Sequence, residues 1–386
     1  MKRVENIDFI RGLVMILMTL DHTRDLLHVT SVTQQPTDLS TASPILFLTR
    51  WVTHLCAPTF VFLSGVSAYI SIKRENGVAV KANFLLTRGL WLIVLDFTLI
   101  NFGVWFDVHF DVFLLDVLSA IGFGFIMLRL LANRSLKTIA ATGLAILFLH
   151  NLTDLIPAAP GLPLYERIAL AFLRPDAFPL HAGKTLIIGY PPLPWVGILL
   201  TGFAAGSLLK LPETKRRTIF LKVGVLAIGA FIILRLINSY GDPIPWSAQK
   251  SGLYSLLSFL NVAKYPPSLD FSLLFLGIMF VLFAALGGIK NKYTDILRTY
   301  GKVPLFYFLV HWYVIHPLVF LMAWLQGFKT SQFVFGTSFG RPVGSGLSLW
   351  GVYTVWLAVV VALYPLCRWY SRYKEAHREK AWMRFL

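Results

Sequence analysis

The stretch IDFIRGLVMILMTLDHTRD, residues 7–25, is a hydrophobic segment of nearly membrane-spanning length that carries unusual charge. Its titratable residues are Asp8, Arg11, Asp21, His22, Arg24 and Asp25. In an α-helix that turns about 100° per residue, Asp8, Arg11, His22 and Asp25 share a stripe about 100° wide, and Arg24 points the opposite way. Because a charge in hydrocarbon costs at least about 2.5–3.5 kcal/mol, the stripe is expected to face protein or water.

Two interpretations of this stripe remain open. It is either a structural cluster of ion pairs that fixes helix packing, or a reaction site inside the bilayer. Arg11 and His22 are eleven residues apart, so they share a helix face with an axial separation of roughly 16 Å. That separation places a cation toward the N-terminal end of the helix and an imidazole toward the other end.

Short motifs in the first 70 residues resemble two families of membrane acyltransferases. Arg11 and His22, with ten residues between them, resemble the Arg-x10-His motif of acyltransferase family three. The segments Asp8-x-x-Arg11-Gly12 and Pro58-x-Phe60-Val61-Phe62-x-x-Gly65 are similar to the first two helices of the heparan-α-glucosaminide N-acetyltransferase family. In lysosomal members an Asn stands at the position of His22, and the proposed catalytic His precedes the second helix. Here the expected loop 29–43 holds no His.

The resemblance implies an integral membrane acyltransferase that uses acyl-CoA, in most cases acetyl-CoA, as a co-substrate without any permanently bound cofactor. It implies an extracytoplasmic acceptor, a sugar hydroxyl or amine, and a location in the cell membrane. A His of ordinary pKa suits the general base, so we expect His22 in that role, oriented by Asp25, with His54 as the alternative base. Arg11 suits a phosphate or pantetheine arm, and we expect it to bind the donor together with Asp8 and Arg50.

Composition indicates a polytopic membrane protein. The 386 residues are 56% hydrophobic and 14% charged, whereas soluble domains are about 25% charged. Of the 35 Lys and Arg residues, 22 fall in the N-terminus, alternate connections and the C-terminal tail, 7 fall in the opposite loops, and 6 lie within predicted helices. This asymmetry predicts cytoplasmic termini, and it explains the net charge of +16 without nucleic-acid binding. Lipids are the expected surroundings, and a homodimer is compatible with the sequence.

Hydropathy predicts a single all-α domain over residues 1–386 with about ten membrane helices. Their expected bounds are 8–28, 44–72, 83–101, 112–131, 136–151, 193–209, 217–238, 269–288, 301–325 and 347–370. Two long outer loops, 152–192 and 239–268, are rich in Pro, Tyr and Trp, which is typical of a carbohydrate platform or of an interfacial belt. A basic cytoplasmic tail follows at 371–386.

The second predicted helix carries Arg50, His54 and Pro58 at intervals of four residues, so the three share a face. Pro58 has no N–H to bond the carbonyl of His54, which predicts a kink there. We expect Arg50, His54 and the kink to line one cavity with His22.

Three further polar residues are candidates for that cavity: Asp21, Asp96 and His311. His316 is instead expected at the interface, because it lies five residues beyond His311 and diverges from it by about 140° around the helix.

Other chemistries leave little trace in the sequence. Cys56 and Cys367, the only cysteines, lie in apolar runs, which excludes a disulfide scaffold. No P-loop, HExxH, GxSxG or CxxC pattern occurs, so no metal site is predicted. Two other classes compete with the acyltransferase: a proton-coupled transporter with an Asp/Arg/His relay, and a structural membrane protein with a satisfied polar core.

Overall fold

The protein is a bundle of long helices with a few short elements at one end. A computed structural model describes residues 5–73, 82–156, 161–286, 289, 291–377, 379–380 and 383. The helices are α1 Glu5–Leu27, α2 Pro44–Thr53, α3 Cys56–Lys73, α4 Ala82–Leu95, α5 Asn101–Trp105, α6 Val117–Leu130, α7 Leu136–Leu149, α8 Leu164–Ala171, α9 Pro192–Ala205, α10 Glu213–Ile237, α11 Gly252–Leu260, α12 Leu269–Leu286, α13 Lys292–Gly301, α14 Pro304–Leu325 and α15 Leu349–Ala376.

Eight helical spans within the described residues are long and apolar enough to cross a membrane. They are Pro44–Ile72, Asn83–Trp105, Leu136–Leu155, Pro192–Lys210, Glu213–Ile237, Leu269–Leu286, Pro304–Leu325 and Leu349–Ala376. Two more predicted spans are also helical: Val117–Leu130 is apolar but shorter, and α1 carries six charged residues. The prediction of an all-α polytopic membrane protein is therefore confirmed.

Several predicted boundaries are wrong in detail. Residues 112–115 begin no helix but form strand β1, Val112–Leu115, which pairs in parallel with β3, Thr185–Ile188. Strand β2, Asp176–Pro179, completes the sheet on the other side of β3. The predicted outer loops therefore contain α8, β2, β3 and α11. The amphipathic helix α13 precedes the ninth span, and α15 continues to Ala376, inside the predicted tail.

Helix α1 lies at the centre of the bundle, where it contacts α2, α3, α12, α13, α14 and α15. The two glycines of the family-like motifs allow close helix approaches. A Cβ on Gly12 would lie 1.8 Å from the carbonyl oxygen of Leu297 in α13, and one on Gly65 would lie 2.1 Å from that of Leu199 in α9. Only glycine permits backbones to approach so closely, so these positions are packing contacts.

The predicted kink in the second span is confirmed. Helix α2 ends at Thr53, a turn of two residues follows, and α3 begins at Cys56, two residues before Pro58. The missing N–H of Pro58 accounts for the break, because the carbonyl of His54 cannot be bonded in the helical pattern. The break leaves His54 at the junction of the two helices, in the interior of the bundle.

The chain defines two ends of the bundle. At the first, which we call the terminal end, α1 begins and α15 ends, because Gly301 packs against Asp8 of α1 and the next residue, Lys302, pairs with Glu375 of α15 (3.3 Å). At the opposite, or loop, end Leu347 bonds to the carbonyl of Leu27 (2.7 Å), and the small sheet and α11 cover the helices. The candidate site lies between these two ends.

Candidate active site

His22 of α1 and His311 of α14 form a pair. Nδ1 of His22 and Nε2 of His311 are 2.6 Å apart. The indole of Trp312 stacks on the His22 ring with a centroid distance of 4.1 Å and so fixes its orientation. His311 is fully buried, whereas His22 is partly exposed. His311 was predicted as a neighbour of this site, and the contact agrees with that prediction.

The hydrogen-bond partners assign the protons of the pair. Nδ1 of His311 lies 3.2 Å from the carbonyl oxygen of Tyr307, which can only accept. In the neutral ring Nδ1 of His311 is then the protonated nitrogen, and Nε2 accepts from Nδ1–H of His22. The remaining nitrogen, Nε2 of His22, keeps its lone pair and can accept a proton from a substrate.

Asp21, next to His22 in sequence, is the centre of a buried charge cluster. Its carboxylate accepts hydrogen bonds from Arg50 Nη1 (2.6 Å) and Thr53 Oγ1 (2.6 Å). Arg24 Nη2 lies at 2.9 Å and Lys264 Nζ at 4.0 Å from the same carboxylate. Asp21, Arg24 and Lys264 are all less than a tenth exposed, so each charge depends on the others for compensation.

Lys264 reaches this cluster from the loop end. It follows α11, and its ammonium lies 5.0 Å from the ring centroid of Tyr265 and 5.9 Å from that of Tyr190. The hydroxyl of Tyr265 donates to that of Tyr190 (3.3 Å), which joins the connection after α11 to the end of the small sheet. A cation from the connection after α11 thus enters the interior of the bundle beside two aromatic rings.

The structure corrects three predictions about this region. Asp25 does not orient His22, because the Asp25 carboxylate bonds to Arg24 and lies 3.8 Å from Arg50. His311, rather than Asp25, contacts Nδ1 of His22. Arg24 does not point away from the site, since it is 1% exposed and bonds to Asp21. Arg50 belongs to the charge cluster at the loop end rather than to a donor site.

A cavity of about 220 Å³ opens on the other side of the histidine pair. Its lining at the terminal end is cationic and polar, with Arg11, Arg88, Lys302, Lys374, Ser64, Ser67 and Ser71. Its inner lining is apolar, with Met15, Leu92, Val117, Leu118, Ile121, Phe125 and Phe308 among others. The cavity therefore suits a long molecule with an anionic end and a less polar end.

Arg11 lines this cavity and is held in place by α3. Its Nη2 donates to the carbonyl of Leu63 (3.1 Å) and to the hydroxyl of Ser67, both on α3. Its Nη1 lies 4.0 Å from the Asp8 carboxylate, so Asp8 forms an ion pair with Arg11 and does not itself line the cavity. Arg88 lies across the cavity over the rings of Phe84 and Phe125, and its Nε has no hydrogen-bond partner among the described residues.

Phe308 separates the cavity from the histidines. Its ring lines the cavity, while its centroid lies 6.4 Å from that of His22 and 5.6 Å from that of His311. Of the described residues that line the cavity, none is a histidine. The imidazole pair therefore lies directly behind the inner wall of the cavity.

His54 lies beside the cluster but in an apolar setting. Thr53, the residue before it, bonds to Asp21, and the His54 ring packs against Phe271 and Phe275 of α12 at 5.7 and 5.6 Å. Its Nδ1 is buried without a hydrogen-bond partner in the described chain. His54 thus faces the interior of the bundle, but His54, Arg50, Pro58 and His22 are all absent from the cavity lining among the described residues, so the predicted common cavity is not seen.

Asp96 and His316 have structural positions. The Asp96 carboxylate accepts from the backbone N–H groups of Asp116 (2.9 Å) and Ser119 (3.0 Å) and so caps α6. His316 is fully buried, contrary to its predicted interfacial place, and its ring nitrogens each lie 3.1 Å from a carbonyl, those of Gly103 and Phe339. Asp96 is therefore a helix cap rather than a member of the charge cluster.

Sequence reasoning missed several residues of the site, among them Lys264, Trp312, Lys302 and Lys374. Trp312 follows His311 directly, and its aromatic side chain was a usable signal. Lys264 lies in a polar loop, where a single cation is unremarkable, and only the folded connection brings it to Asp21. Lys302 and Lys374 were counted among the residues that set membrane topology, and charge counting does not distinguish an anchor from a ligand-binding cation.

Comparison with known proteins identifies the family. Residues 3–234 match the family described as heparan-alpha-glucosaminide N-acetyltransferase, catalytic. A search of curated proteins found no match. Because the matched segment covers more than half of the 386 residues, the chain belongs to this family and is an N-acetyltransferase-type membrane enzyme. His311, Lys264 and Phe308 lie beyond the matched residues.

Proposed function

We propose that this member of the family transfers an acetyl group from acetyl-CoA to a sugar hydroxyl or amine that reaches His22 from the loop end. One observation supports the proposal above all others: a cationic cavity ends at Phe308, and the paired imidazoles of His22 and His311 lie immediately behind that ring. Such an arrangement brings an anionic carrier and a general base to opposite sides of one short barrier.

The donor would bind with its phosphates at the terminal end of the cavity. Arg11, Arg88, Lys302 and Lys374 supply cations there, and guanidinium groups suit phosphate because they donate two parallel hydrogen bonds. The hydroxyls of Ser64 and Ser67 follow along α3 and would accompany the amide-containing arm. The thioester then lies toward Met15 and Phe308, where the lining is apolar.

The transfer step follows from the proton assignment. Nε2 of His22 accepts the proton of the acceptor O–H or N–H as that oxygen or nitrogen attacks the thioester carbonyl carbon. The new C–O or C–N bond forms, the C–S bond breaks, and the leaving sulfur takes the proton from His22 to give CoA-SH. His311 accepts the Nδ1–H of His22 throughout and keeps the ring in the required tautomer.

The charge cluster would stabilise the negative oxygen that forms during attack. It contains the cations Arg24, Arg50 and Lys264 against the carboxylates Asp21 and Asp25, so it retains one excess positive charge when the histidines are neutral. A fixed positive field in a water-poor site lowers the energy of an oxyanion without reorganisation. In this proposal, the excess positive charge of the cluster contributes to catalysis.

The distribution of Lys and Arg supports a donor that enters from the cytoplasm. The terminal end carries the basic segments, which the positive-inside rule assigns to the cytoplasmic side of the cell membrane. Acetyl-CoA is a cytosolic metabolite, and the acceptor, a glycan in our proposal, would then approach from outside. The acyl group crosses only the short distance past Phe308.

The proposal is tested with the full chain in lipid nanodiscs and radiolabelled acetyl-CoA. We expect release of CoA-SH and labelling of an amino sugar or a hydroxyl-bearing glycan, measured with a panel of both, and no labelling with His22→Ala. Folded protein that consumes no acetyl-CoA with any acceptor, yet moves protons across proteoliposomes, would contradict the transferase and support the transporter.

A further inference from the structure

One aromatic ring of the inner lining of the donor cavity lies next to both histidines. Phe308 is 5% exposed, its ring lines the cavity, and its centroid lies 6.4 Å from that of His22 with an interplanar angle of 69°. Met15 of α1 and Leu118 of α6 complete the apolar lining at this depth. An acyl group in the cavity therefore meets the Phe308 ring before it meets either imidazole.

We propose that Phe308 is both the gate between the donor cavity and His22 and the residue that limits the length of the transferred acyl chain. The inference rests on the proposed function. For the thioester carbonyl to come within reach of an acceptor at His22, the ring must turn aside. The space that the ring vacates then has to hold the acyl chain.

That space favours a short chain. The cavity that Phe308 lines is also lined by buried side chains from α1, α4 and α6, among them Met15, Leu92 and Leu118. Close-packed helices do not yield to added methylene groups without strain. An acetyl group adds one methyl beyond the carbonyl, whereas a hexanoyl group would have to displace these side chains. The bonds formed and broken in the transfer step are the same for both acyl groups, and only the fit of the acyl chain near His22 differs.

The test compares acetyl-, butyryl- and hexanoyl-CoA as donors for the full chain in nanodiscs. We expect the wild-type protein to prefer acetyl- over hexanoyl-CoA in kcat/KM by at least about tenfold, since pockets discriminate a methylene by about tenfold or more. Phe308→Ala should reduce that preference by about tenfold or more. Phe308→Trp should lower kcat for acetyl transfer while the Kd for CoA, measured by calorimetry, stays within about twofold.

Two further variants separate gating from folding. Phe308→Leu keeps most of the buried volume and should shift the preference in the same direction as Phe308→Ala. Phe306→Ala is the matched control, because that ring stacks on Tyr370 of α15 at 4.0 Å and is absent from the cavity lining among the described residues. It should keep the wild-type chain-length preference.

The outcomes distinguish this inference from the function on which it rests. Wild-type acetyl transfer together with an unchanged chain-length preference in folded, CoA-binding Phe308→Leu would overturn the gate and leave the proposed function intact. An equal shift in Phe306→Ala would overturn it as well. If the wild-type protein transfers no acyl group from any donor, the proposed function fails, and the inference fails with it.

Discussion

The two polar regions of this protein differ in how their charges are compensated. At the loop end Asp21 pairs with Arg24 and Arg50 and attracts Lys264, so the charges compensate one another within the protein. In the cavity the cations come from α1, α4, the turn between α13 and α14, and α15, and they surround an open volume of about 220 Å³. A closed cluster is suited to hold a fixed field, whereas cations around an open volume are suited to bind a ligand.

Intramembrane charges in this protein are therefore of two kinds, those paired within the protein and those that line a cavity. The sequence alone does not distinguish them. Asp21 and Arg11 belong to one helix, ten residues apart, and hydropathy treats them alike. The first is nearly inaccessible and bonds to three side chains, whereas the second is anchored to α3 and lines a cavity. Substitutions in the two regions should therefore have different effects. Those at the loop end should lower stability and kcat, whereas those at the cavity should weaken donor binding.

The largest effect is expected for His22→Ala. Loss of a general base lowers kcat by about 10²–10⁴-fold, because proton transfer to the base occurs in the transition state. CoA binding should persist, since His22 lies behind Phe308 and not in the lining. Steady-state kinetics with calorimetric CoA binding measure both quantities. Transfer at near wild-type rate by a folded His22→Ala variant would move the base to His54.

Asp21→Ala should cost most in stability. Removal of its carboxylate leaves Arg24, Arg50 and Lys264 buried with one fewer counter-charge, and breaking a buried ion pair costs about 3–5 kcal/mol. We expect a large drop in thermal unfolding temperature of the purified protein in detergent. Asp38→Ala, in the exposed connection before α2, is the control and should leave that temperature nearly unchanged.

Much of this comparison was predictable from sequence and part was not. The helices and the kink near Pro58 follow from hydropathy and helical periodicity, which are local properties, whereas His311 was only a candidate chosen by its depth in its own helix, and its contact with His22 spans 289 residues. The prediction from helical periodicity misplaced Arg24, because α1 is surrounded by protein and a long Arg side chain can reach around its helix. Lys264 was missed since its contact with Asp21 spans more than 240 residues and depends on the fold of the loop end.

Gly12→Ala should have an intermediate effect on stability and tests how helix packing positions Arg11. A Cβ at this position would overlap the Leu297 carbonyl at 1.8 Å, so α1 and α13 would have to separate. Overpacking of this kind costs about 1–3 kcal/mol and would also shift Arg11, the preceding residue. We expect lower thermal stability and a raised KM for acetyl-CoA. Gly229→Ala in α10, where a Cβ would meet no atom within 4 Å, is the matched control.

The smallest effect is expected for Arg88→Ala and concerns donor binding alone. Arg88 lines the cavity, and its Nε bonds to no described residue, so its loss removes a cation from the ligand and few contacts from the fold. A hydrogen bond to a charged group contributes about 1.5–3 kcal/mol, so KM for acetyl-CoA should rise about tenfold while kcat changes little. The same variant should show a weaker dependence of KM on salt, because one cation fewer attracts the anionic donor and salt screens that attraction. Arg50→Ala provides the contrast, since its partner is Asp21 and its loss should lower kcat and stability while KM stays nearly constant. If Arg50→Ala raised KM for acetyl-CoA as much as Arg88→Ala does, the donor would extend into the charge cluster, and the division between a closed cluster and an open cavity would be wrong.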